Sequence, residues 1–508
     1  MARDPILALA REALGFRRLR PGQREAVKAL LAGRDVLAVM PTGSGKSAIY
    51  QLAALEIPGP TVVVSPLVAL QRDQVEAIAR RRLAAAGQAN ATVPAGERRQ
   101  AIEDFGQGDL EFLFLAPEQL ANPETLEHVV AARPSLLVVD EAHCISAWGH
   151  DFRPEYGRLG AMLEALGRPR ALALTATAAP PVRCEITERL GLRDPAVVVR
   201  GFDRPNIHLA VERFSEAEAK DDAQVERVGD GDGGAGIVYA ATRKRTEALA
   251  ERLAGAGVAA VAYHAGLRAA DRRAAQERFM ADGDTVIVAT TAFGMGIDKP
   301  DVRFVLHADA PDSLDAYHQE LGRAGRDGRP AAAVLFYRPE DLGLRRFFAG
   351  GKPLGVEQLE RVARGEATGL SKARLDAARN LLEQAGTAEA AAALEEDHRR
   401  VEQSRVEMLR GYAEADACRR ELLLTYFGEP FEPPCGACDN CEAGLAADPG
   451  PAPDEPPFEV DAKVRHKSWG PGRVLRYDGD RMVVLFDRAG YRTLSIATVL
   501  ERKLLRTR

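Results

Sequence analysis

The chain has 508 residues, too many for one ordinary hydrophobic core, so three or more domains are expected. Hydrophobic residues make up 46% and charged residues 28%. Every apolar run is interrupted before it could span a bilayer, and the start lacks the pattern of a secretory signal. These features predict a cytoplasmic protein rather than a membrane protein. The net charge of −6 argues against a passive nucleic-acid coat protein, although residues 460–508 carry twelve Lys or Arg against five Asp or Glu.

Two parts of the chain alternate short runs rich in Val and Leu with longer amphipathic stretches. Runs that are apolar on both faces and separated by helix-length segments are typical of parallel sheets covered by helices. We therefore predict two doubly wound α/β domains, residues 1–205 and 206–345, with a flexible glycine-rich turn just before the second set of strands. The clearest predicted strands are Val36–Val39, Thr61–Ser65, Glu111–Leu115, Leu136–Val139 and Ala171–Leu174, then Gly236–Tyr239, Val258–Tyr263, Val286–Ala289, Phe304–His307 and Ala332–Tyr337.

The rest of the chain has a different pattern. After Arg338 helical periodicity replaces the strand pattern, so residues 346–400 and 401–445 are predicted to be helical. Residues 446–459 hold five prolines among acidic residues, which predicts a linker. Residues 460–508 alternate short strands with glycine-rich turns, which is typical of a small β-barrel.

A glycine-rich turn, Met40-Pro-Thr-Gly-Ser-Gly-Lys-Ser, follows the first predicted strand and opens a helical stretch. Lys46 can supply a point charge to terminal phosphates, and Ser47 can ligate Mg²⁺. The residues that can bring backbone amides toward phosphate oxygens are Thr42, Gly43, Ser44 and Gly45. Met40 stands where the usual pattern has a glycine, and a tight turn without a ligand is the alternative interpretation.

Asp140 and Glu141 end the predicted strand Leu136–Val139, roughly one hundred residues after this turn. A nucleotide-binding sheet has its Mg²⁺ carboxylate and a water-activating base at such a place. The alternative, a solvated surface pair, is disfavoured by the apolar strand before them. Together the two motifs predict hydrolysis of a nucleoside triphosphate.

Arg323 and Arg326 lie in the second α/β domain, in Gln319-Glu-Leu-Gly-Arg-Ala-Gly-Arg. Two arginines three positions apart on one helical face are normally salt-bridge partners. In a two-lobed ATPase they can instead neutralise the charge that develops on the transferred phosphoryl group.

Several motifs match one known family. They are Gly15-Phe16 with Leu19-Arg-Pro-Gly-Gln23, then Ser65–Gln74, Asp140–His143 followed by Cys144–Tyr156, Leu174–Ala178, Tyr263–Leu267 and Thr290–Pro300. Over nearly all of Leu14–Ala349, and again over Cys418–Cys441, the chain resembles the RecQ branch of superfamily-two DNA helicases. The resemblance implies two RecA-like lobes and ATP as the nucleotide. It also implies 3′ to 5′ translocation on single-stranded DNA with unwinding of duplexes in repair or recombination, so that single-stranded and forked DNA are the partners.

The resemblance also implies roles for individual residues. Phe16, Arg20 and Gln23 correspond to adenine contacts, with Phe16 standing where a tyrosine is commoner, and Asp298 and Gln319 to further nucleotide contacts. The implied DNA contacts are Ser65, Trp148, Phe152, Arg153, Thr177, His264 and Thr291. Trp148, Phe152 and Arg153 can stack on or clamp a single strand, whereas the alternative places the two aromatic rings in the core.

Four cysteines, Cys418, Cys435, Cys438 and Cys441, have a spacing that suits tetrahedral Zn²⁺, and the pattern resembles the RecQ zinc element. An iron–sulfur cluster is the alternative. Cys144 and Cys184 are predicted to be buried structural thiols. The family usually has a winged-helix domain after the zinc element, but only the proline-rich linker is evident there.

Residues 367–386, before the zinc element, resemble a helix-turn-helix with Ser371 as the N-cap of a recognition helix, or an ordinary helical hairpin. Residues 460–508 resemble the small Tudor-like barrel of superfamily-one helicases of the UvrD kind, a docking module. Trp469 and Tyr477 could stack there on bases, and RNA polymerase is a candidate partner. We expect a monomer associated with the nucleoid. The rival functions are a translocase or RNA helicase that does not separate DNA strands, and a non-catalytic DNA-binding regulator.

Overall fold

A computed structural model of the chain divides into two compact units, residues 1–204 with 292–300 and residues 205–291 with 301–508. The structure describes residues 4–41, 43–66, 68–120, 122–146, 153–229, 233–294, 299–343, 353–366, 369–429, 431–446, 455–460, 462–486 and 490–507. Within these ranges, no helix combines the length and the apolar character that a membrane crossing requires.

The first unit is built on a seven-stranded parallel sheet. Its strands in chain order are β1 Val36–Val39, β2 Thr61–Val64, β3 Ala86–Ala89, β4 Phe112–Leu115, β5 Leu136–Val139, β6 Arg170–Thr175 and β7 Ala196–Val199. Their spatial order is β3-β4-β2-β5-β6-β1-β7, and every pairing is parallel. Strands β1, β2, β4 and β5 are buried along their whole length, which is why they form continuous apolar runs. The five strands predicted for this part of the chain are confirmed.

Helices cover both faces of that sheet, as the alternation of strands and helices requires. They are α1 Pro5–Leu14, α2 Gln23–Leu31, α3 Ser47–Glu56, α4 Val68–Arg80, α5 Ala95–Gln107, α6 Pro117–Leu120, α7 Pro123–Ala131, α8 Leu159–Ala165 and α9 Pro180–Leu190. Helix α1 ends where Gly15 takes a left-handed conformation, with φ of 72°. Helices α1 to α3 contribute to a hydrophobic cluster with β1 that includes Leu30, Ile49 and Val36. This packing fixes the start of α3 against the carboxyl end of β1.

The second unit contains a six-stranded parallel sheet. Its strands are β8 Ile207–Arg213, β9 Gly236–Tyr239, β10 Ala260–Tyr263, β11 Val286–Ala289, β12 Phe304–His307 and β13 Ala331–Tyr337, in the spatial order β10-β11-β9-β12-β13-β8. The helices of this sheet are α10 Ala217–Gly229, α11 Arg243–Gly255, α12 Ala269–Ala281 and α13 Leu314–Leu321. The strands predicted for this part are confirmed, and β8 is an additional strand at one edge.

A helical region follows in the same unit, with α14 Val356–Ala363, α15 Lys372–Ala385, α16 Ala388–Glu414, α17 Arg419–Tyr426 and α18 Asp439–Glu442. Ser371 caps α15 as predicted, since its side chain accepts a hydrogen bond from the Arg374 amide. The described part of residues 367–386 contains one helix, α15, which follows α14 along the chain, and the helix-turn-helix stays a prediction. The domain boundary predicted between residues 400 and 401 falls inside the continuous helix α16.

The C-terminal segment forms a five-stranded antiparallel sheet, which makes the predicted small barrel a half-barrel. Its elements are β14 Lys463–His466, β15 Gly470–Asp478, β16 Arg481–Phe486, β17 Gly490–Ser495, α19 Ile496–Glu501 and β18 Leu505–Thr507. The spatial order is β17-β16-β15-β14-β18, which leaves β17 and β18 at the edges. Strand β17 lies against α16, so the sheet is seated on the long helix.

Candidate active site and metal centre

The phosphate loop connects β1 to α3 in the conformation that the glycine pattern predicts. Gly43 and Gly45 have φ of 77° and 76°, in the left-handed region that glycine adopts without strain. A Cβ on Gly45 would lie 2.7 Å from the Gln23 side-chain nitrogen, so the loop has no space for a larger residue there. Helix α3 begins at Ser47 immediately after the loop, which points the free amides of its first turn toward a bound anion. Thr42 lies outside the described residues.

The Lys46 side chain folds back over the loop that precedes it. Its Nζ lies 3.0 Å from the carbonyl oxygen of Met40 and 3.5 Å from that of Pro41. These carbonyls hold the ammonium group over the loop, where phosphate oxygens can replace them as partners. The position agrees with the predicted role of Lys46 as a point charge.

The predicted adenine motif is in direct contact with the phosphate loop. Gln23 is buried, and its side-chain amide donates to the carbonyls of Ser44 at 3.1 Å and Gly45 at 2.8 Å. The exposed Arg20 guanidinium donates to the carbonyl of Gly43. Gln23 and Arg20 therefore brace the loop from outside. Phe16 is partly buried against the core of the first unit.

Asp140 and Glu141 follow β5 and lie at the carboxyl edge of the sheet, as predicted. Burial and the neighbouring Glu141 raise the pKa of Asp140 to about 6, while Lys46 lowers it. Such a carboxylate is stabilised by a cation, and this fits the Mg²⁺ ligand that the sequence predicts. Glu141 has φ of 47°, a strained conformation for a residue with a side chain, of the kind that occurs at active sites.

Glu141 is oriented by a buried polar chain that the sequence interpretation missed. The Nδ1 atom of His143 lies 3.3 Å from Oε2 of Glu141 and 2.9 Å from the hydroxyl of Thr175. That hydroxyl donates to the carbonyl of Thr177 at 2.9 Å. The Tyr156 hydroxyl donates to the Asp140 carbonyl at 3.0 Å, which secures the same turn from the other side. The signal was in the motifs Asp140–His143 and Leu174–Ala178, which fold against each other.

The predicted DNA contacts of the first unit are only partly described. Ser65 and Thr177 are both buried, with exposures of 2% and 1%. Both side chains are therefore shielded from solvent. The Arg153 amide donates to the Cys144 carbonyl at 2.9 Å. Trp148 and Phe152 lie outside the described residues.

In the second unit, Arg323 and Arg326 follow α13 instead of lying on a helical face. The helix ends at Leu321, and Gly325 has φ of 55°. The Asn206 side chain donates to the carbonyls of Gly325 at 2.8 Å and Arg329 at 2.9 Å, which fixes this turn. The interpretation as a helical pair was wrong because Gly322 and Gly325 end the helix.

The environment of the two arginines is buried and polar. Arg323 is 5% exposed and lies beside Tyr239, whose pKa is raised to about 12 by burial. On α13, Glu320 accepts a hydrogen bond from His307 at 2.8 Å. Gln319 is partly exposed on the same helix.

Other predicted contacts in this unit differ in their exposure. His264 is buried and pairs with Glu247 at 3.0 Å, whereas Thr291 is exposed. Asp298 lies outside the described residues.

The four late cysteines come together as predicted. The Sγ atoms of Cys418, Cys435, Cys438 and Cys441 all lie within 4.8 Å of one another. The neighbouring thiol of Cys418 and burial raise the pKa of Cys438 to about 12. Four thiolates at this spacing need a cation to offset their charge, and a tetrahedral Zn²⁺ ion fits the set.

One prediction about the remaining cysteines is wrong. Cys144 is buried as expected, but Cys184 is exposed on α9, whose buried residues are Val182, Ile186 and Leu190. In the C-terminal sheet, Trp469 stacks on His466 at a ring distance of 4.0 Å, and the Tyr477 hydroxyl donates to the Phe458 carbonyl at 2.6 Å. Both rings are partly buried against the hydrophobic cluster of this sheet, and their stacking on bases stays a prediction.

A phosphate loop and acid pair on one parallel sheet, together with an arginine turn on a second, define a two-lobed nucleotide hydrolase of the helicase class. Three family models match the chain: DEAD/DEAH box helicase over residues 20–184, helicase conserved C-terminal domain over 220–328, and RecQ zinc-binding over 375–442. The last of these contains all four cysteines, which favours zinc over an iron–sulfur cluster.

Among curated relatives, the probable ATP-dependent DNA helicase RecS of Bacillus subtilis is 36% identical over 456 residues, 85% of this chain and 91% of the relative. The ATP-dependent DNA helicase RecQ of Pasteurella multocida is 38% identical over 84% of this chain, and that of Haemophilus influenzae 37% over 86%. The chain belongs to the RecQ family of helicases. It spans 60% and 63% of the length of the last two relatives.

Solved structures support the fold. The DUF1998 helicase MrfA bound to DNA has a TM-score of 0.56 at 17% identity, over 68% of this chain and 52% of that chain. Saccharomyces cerevisiae Dbp5 bound to RNA and ADP BeF3 has a TM-score of 0.52 at 18% identity, over 68% and 92%. At these identities the likeness concerns the fold of the two lobes.

Proposed function

We propose that the chain is a DNA-dependent ATPase and helicase that moves 3′ to 5′ along a single DNA strand and separates duplexes in repair or recombination. The observation that carries the proposal is the acid pair beside the phosphate loop, with Glu141 oriented by His143 and Thr175. A protein that only binds DNA has no use for a strained, oriented base at this position. The names of the curated relatives support DNA as the substrate.

The geometry of the first unit supports the proposed hydrolytic roles. Mg²⁺, when bound, offsets charge on the phosphates, and Asp140 and Ser47 would hold it. We propose that Lys46 and the loop amides bind the terminal phosphates. Glu141 accepts a proton from the attacking water as the water oxygen bonds to the γ-phosphorus, the bond from the γ-phosphorus to the bridging oxygen breaks, and ADP leaves with that oxygen. His143 keeps the Glu141 carboxylate in place during that transfer.

Arg323 and Arg326 are proposed to complete the site from the second unit. A guanidinium group that neutralises charge on the transferred phosphoryl group must be held in a fixed place. The turn that Asn206 secures around Gly325 supplies such a fixed mount. Adenine recognition by Phe16, Arg20 and Gln23 is part of the same proposal.

The contacts with DNA stay predictions. We propose that Trp148, Phe152 and Arg153 grip one strand, and that His264 and Thr291 lie near the backbone. A translocase or RNA helicase is the second candidate, since one structural neighbour is described as bound to RNA. Docking of a protein such as RNA polymerase on the C-terminal sheet, and association with the nucleoid, likewise stay predictions.

The test compares wild type with Lys46→Ala, using the exposed Lys28→Ala on α2 as the matched control. We expect Lys46→Ala to bind single-stranded DNA normally but to lose ATP hydrolysis, and Lys28→Ala to keep both. ATPase rates with DNA and with RNA, and unwinding of 3′-tailed and 5′-tailed duplexes, test substrate and polarity. Robust turnover by Lys46→Ala would refute the catalytic assignment, and stronger stimulation by RNA would favour the second candidate.

A further inference from the structure

The C-terminal half-barrel carries positive charge on one face of its strands. Exposure alternates along β14, where Val464 and His466 point into the core while Lys463 and Arg465 are exposed. Arg506 is exposed on the neighbouring edge strand β18. This alternation is what a half-buried strand requires, and it collects the basic side chains on the solvent side.

The strand register sets these like charges directly opposite one another. Arg465 pairs with Arg506 across β14 and β18, and Lys463 pairs with Arg473 across β14 and β15. Opposed residues of an antiparallel pair have Cβ atoms about 4.5–5.5 Å apart, and like charges at that distance destabilise the sheet. We call Lys463, Arg465 and Arg506 the cationic face.

Acidic neighbours do not neutralise this face. Within the described ranges, no carboxylate forms an ion pair with Lys463, Arg465 or Arg506, whereas Arg481 in the same sheet lies 3.9 Å from Asp480. Asp480 lies in the hairpin turn beyond Asp478, at the far end of β15. The three basic residues of the cationic face therefore keep their positive charge, as is expected of a surface for an anionic partner.

The spacing of the cationic face fits a row of phosphates. Adjacent strands are about 4.8 Å apart, and Lys463 and Arg465 are separated by about 6.6 Å along β14. Arginine in particular binds phosphate through two parallel hydrogen bonds. A phosphate backbone can therefore contact charges on two neighbouring strands at once.

The aromatic rings of the sheet indicate which kind of nucleic acid this face binds. Sites for single strands combine positive charge with exposed aromatic rings on which bases stack. Here Trp469 stacks on His466 and the Tyr477 hydroxyl donates to the Phe458 carbonyl, so both partly exposed rings are held by contacts within the sheet. We propose that the cationic face binds the phosphate backbone of duplex DNA, independently of sequence, as a second DNA contact in addition to the strand-tracking site.

This inference rests on the proposed function only in taking DNA as the substrate of the motor. The half-barrel is seated on α16, and Arg492 of β17 lies near Glu407 of that helix, so duplex held on the cationic face is held relative to the helical region of the second unit. A duplex grip of this kind keeps the motor on its substrate while the single strand is released at each step.

The test uses the full chain with Arg465→Gln/Arg506→Gln, and Arg481→Gln as a control arginine from the same sheet. Fluorescence anisotropy measures binding to a blunt duplex and to a single strand of equal length over a series of salt concentrations. We expect the double variant to bind duplex roughly tenfold more weakly at low salt, and the slope of log Kd against log salt to fall by about 1.8, for two lost phosphate contacts. Arg481→Gln should match wild type.

Three other readouts separate this role from a structural one. The melting temperature of the double variant should stay the same or rise, because the substitution removes a repulsion. Binding to the single strand and the ATPase kcat with saturating single strand should stay unchanged. ATP hydrolysis by Lys46→Ala would refute the proposed function, and it would leave the measured effect of the double variant on duplex binding unaffected.

Unchanged duplex affinity and salt slope in the double variant would overturn the inference. An equal loss on the single strand would overturn it as well, since the face would then be part of the strand-tracking site. Tighter binding of wild type to polyglutamate than to duplex would also overturn it, and would make an acidic protein the partner.

Discussion

A buried hydrogen bond joins α13 to helix α17 of the zinc element. The Tyr426 hydroxyl of α17 donates to the Asp315 carboxylate of α13, and both residues are buried, with exposures of 5% and 3%. Tyr426→Phe removes the donor and leaves the carboxylate in place. A hydrogen bond to a charged group contributes about 1.5–3 kcal/mol, and we expect α13 to lose that much local stability.

Amide hydrogen exchange measures this loss directly. A local destabilisation of 1.5–3 kcal/mol corresponds to roughly 10- to 150-fold faster exchange of the α13 amides. Tyr477→Phe is the matched control, because its hydroxyl donates to a neutral carbonyl in the C-terminal sheet. It should leave α13 unchanged.

The same variant tests the link to catalysis. Helix α13 leads directly into Arg323, so the ATPase kcat of Tyr426→Phe should fall by a larger factor than the affinity for ATP, because Gln319 is the one proposed nucleotide contact on α13. If α13 exchanges at the wild-type rate in Tyr426→Phe, the reasoning about this contact is refuted, whatever the ATPase shows. Faster exchange with unchanged kcat would instead refute the proposed role of the arginines.

Two further predictions concern the acid pair. Thr175→Val keeps the volume of the side chain but removes the hydroxyl that contacts His143. The kcat should fall roughly tenfold, which corresponds to a lost hydrogen bond of about 1.4 kcal/mol, while ATP affinity stays unchanged. An equal loss in ATP affinity would contradict an orienting role. The Asp140 pKa of about 6, against an ordinary 3.8, means that the folded protein binds more protons between those values, so without Mg²⁺ its stability falls as pH rises through that window. Asp140→Asn should remove this dependence and raise the melting temperature at pH 7 but not at pH 3, and a lower melting temperature at pH 7 would count against it.

The central strands of both sheets could be predicted because a strand that is buried on both faces forms a continuous run of apolar residues. Val36–Val39 and Leu136–Val139 have only apolar residues, with β-branched valine in each. The strands that were missed lie at sheet edges. Ala86–Ala89 contains Gly and Gln and lacks an apolar run, whereas Ala196–Val199 is an apolar run that the sequence interpretation overlooked.

The residues of the candidate site could be predicted where a reaction requires particular residues close together in the sequence. They could not be predicted where a side chain acts through a contact with a distant part of the chain. The phosphate loop needs particular residues in a row, and the four cysteines need particular spacings. The contact of His143 with Thr175 joins two motifs far apart in sequence, so neither motif alone reveals it. The stacking of Trp469 on His466 was missed for a related reason, since it depends on how β14 and β15 pair.

The zinc element also explains how an edge of the second sheet is protected. Strand β8 is an edge strand, and its outward amides would otherwise be open to pairing with another chain. The Leu209 amide donates to the Ala437 carbonyl at 3.3 Å, and the Val211 amide donates to Asp439 at 2.9 Å. Both acceptors lie within the cysteine loop, whose conformation the metal would fix. Loss of zinc therefore frees a sheet edge in addition to loosening a loop, and we expect the chain without zinc to aggregate before it unfolds.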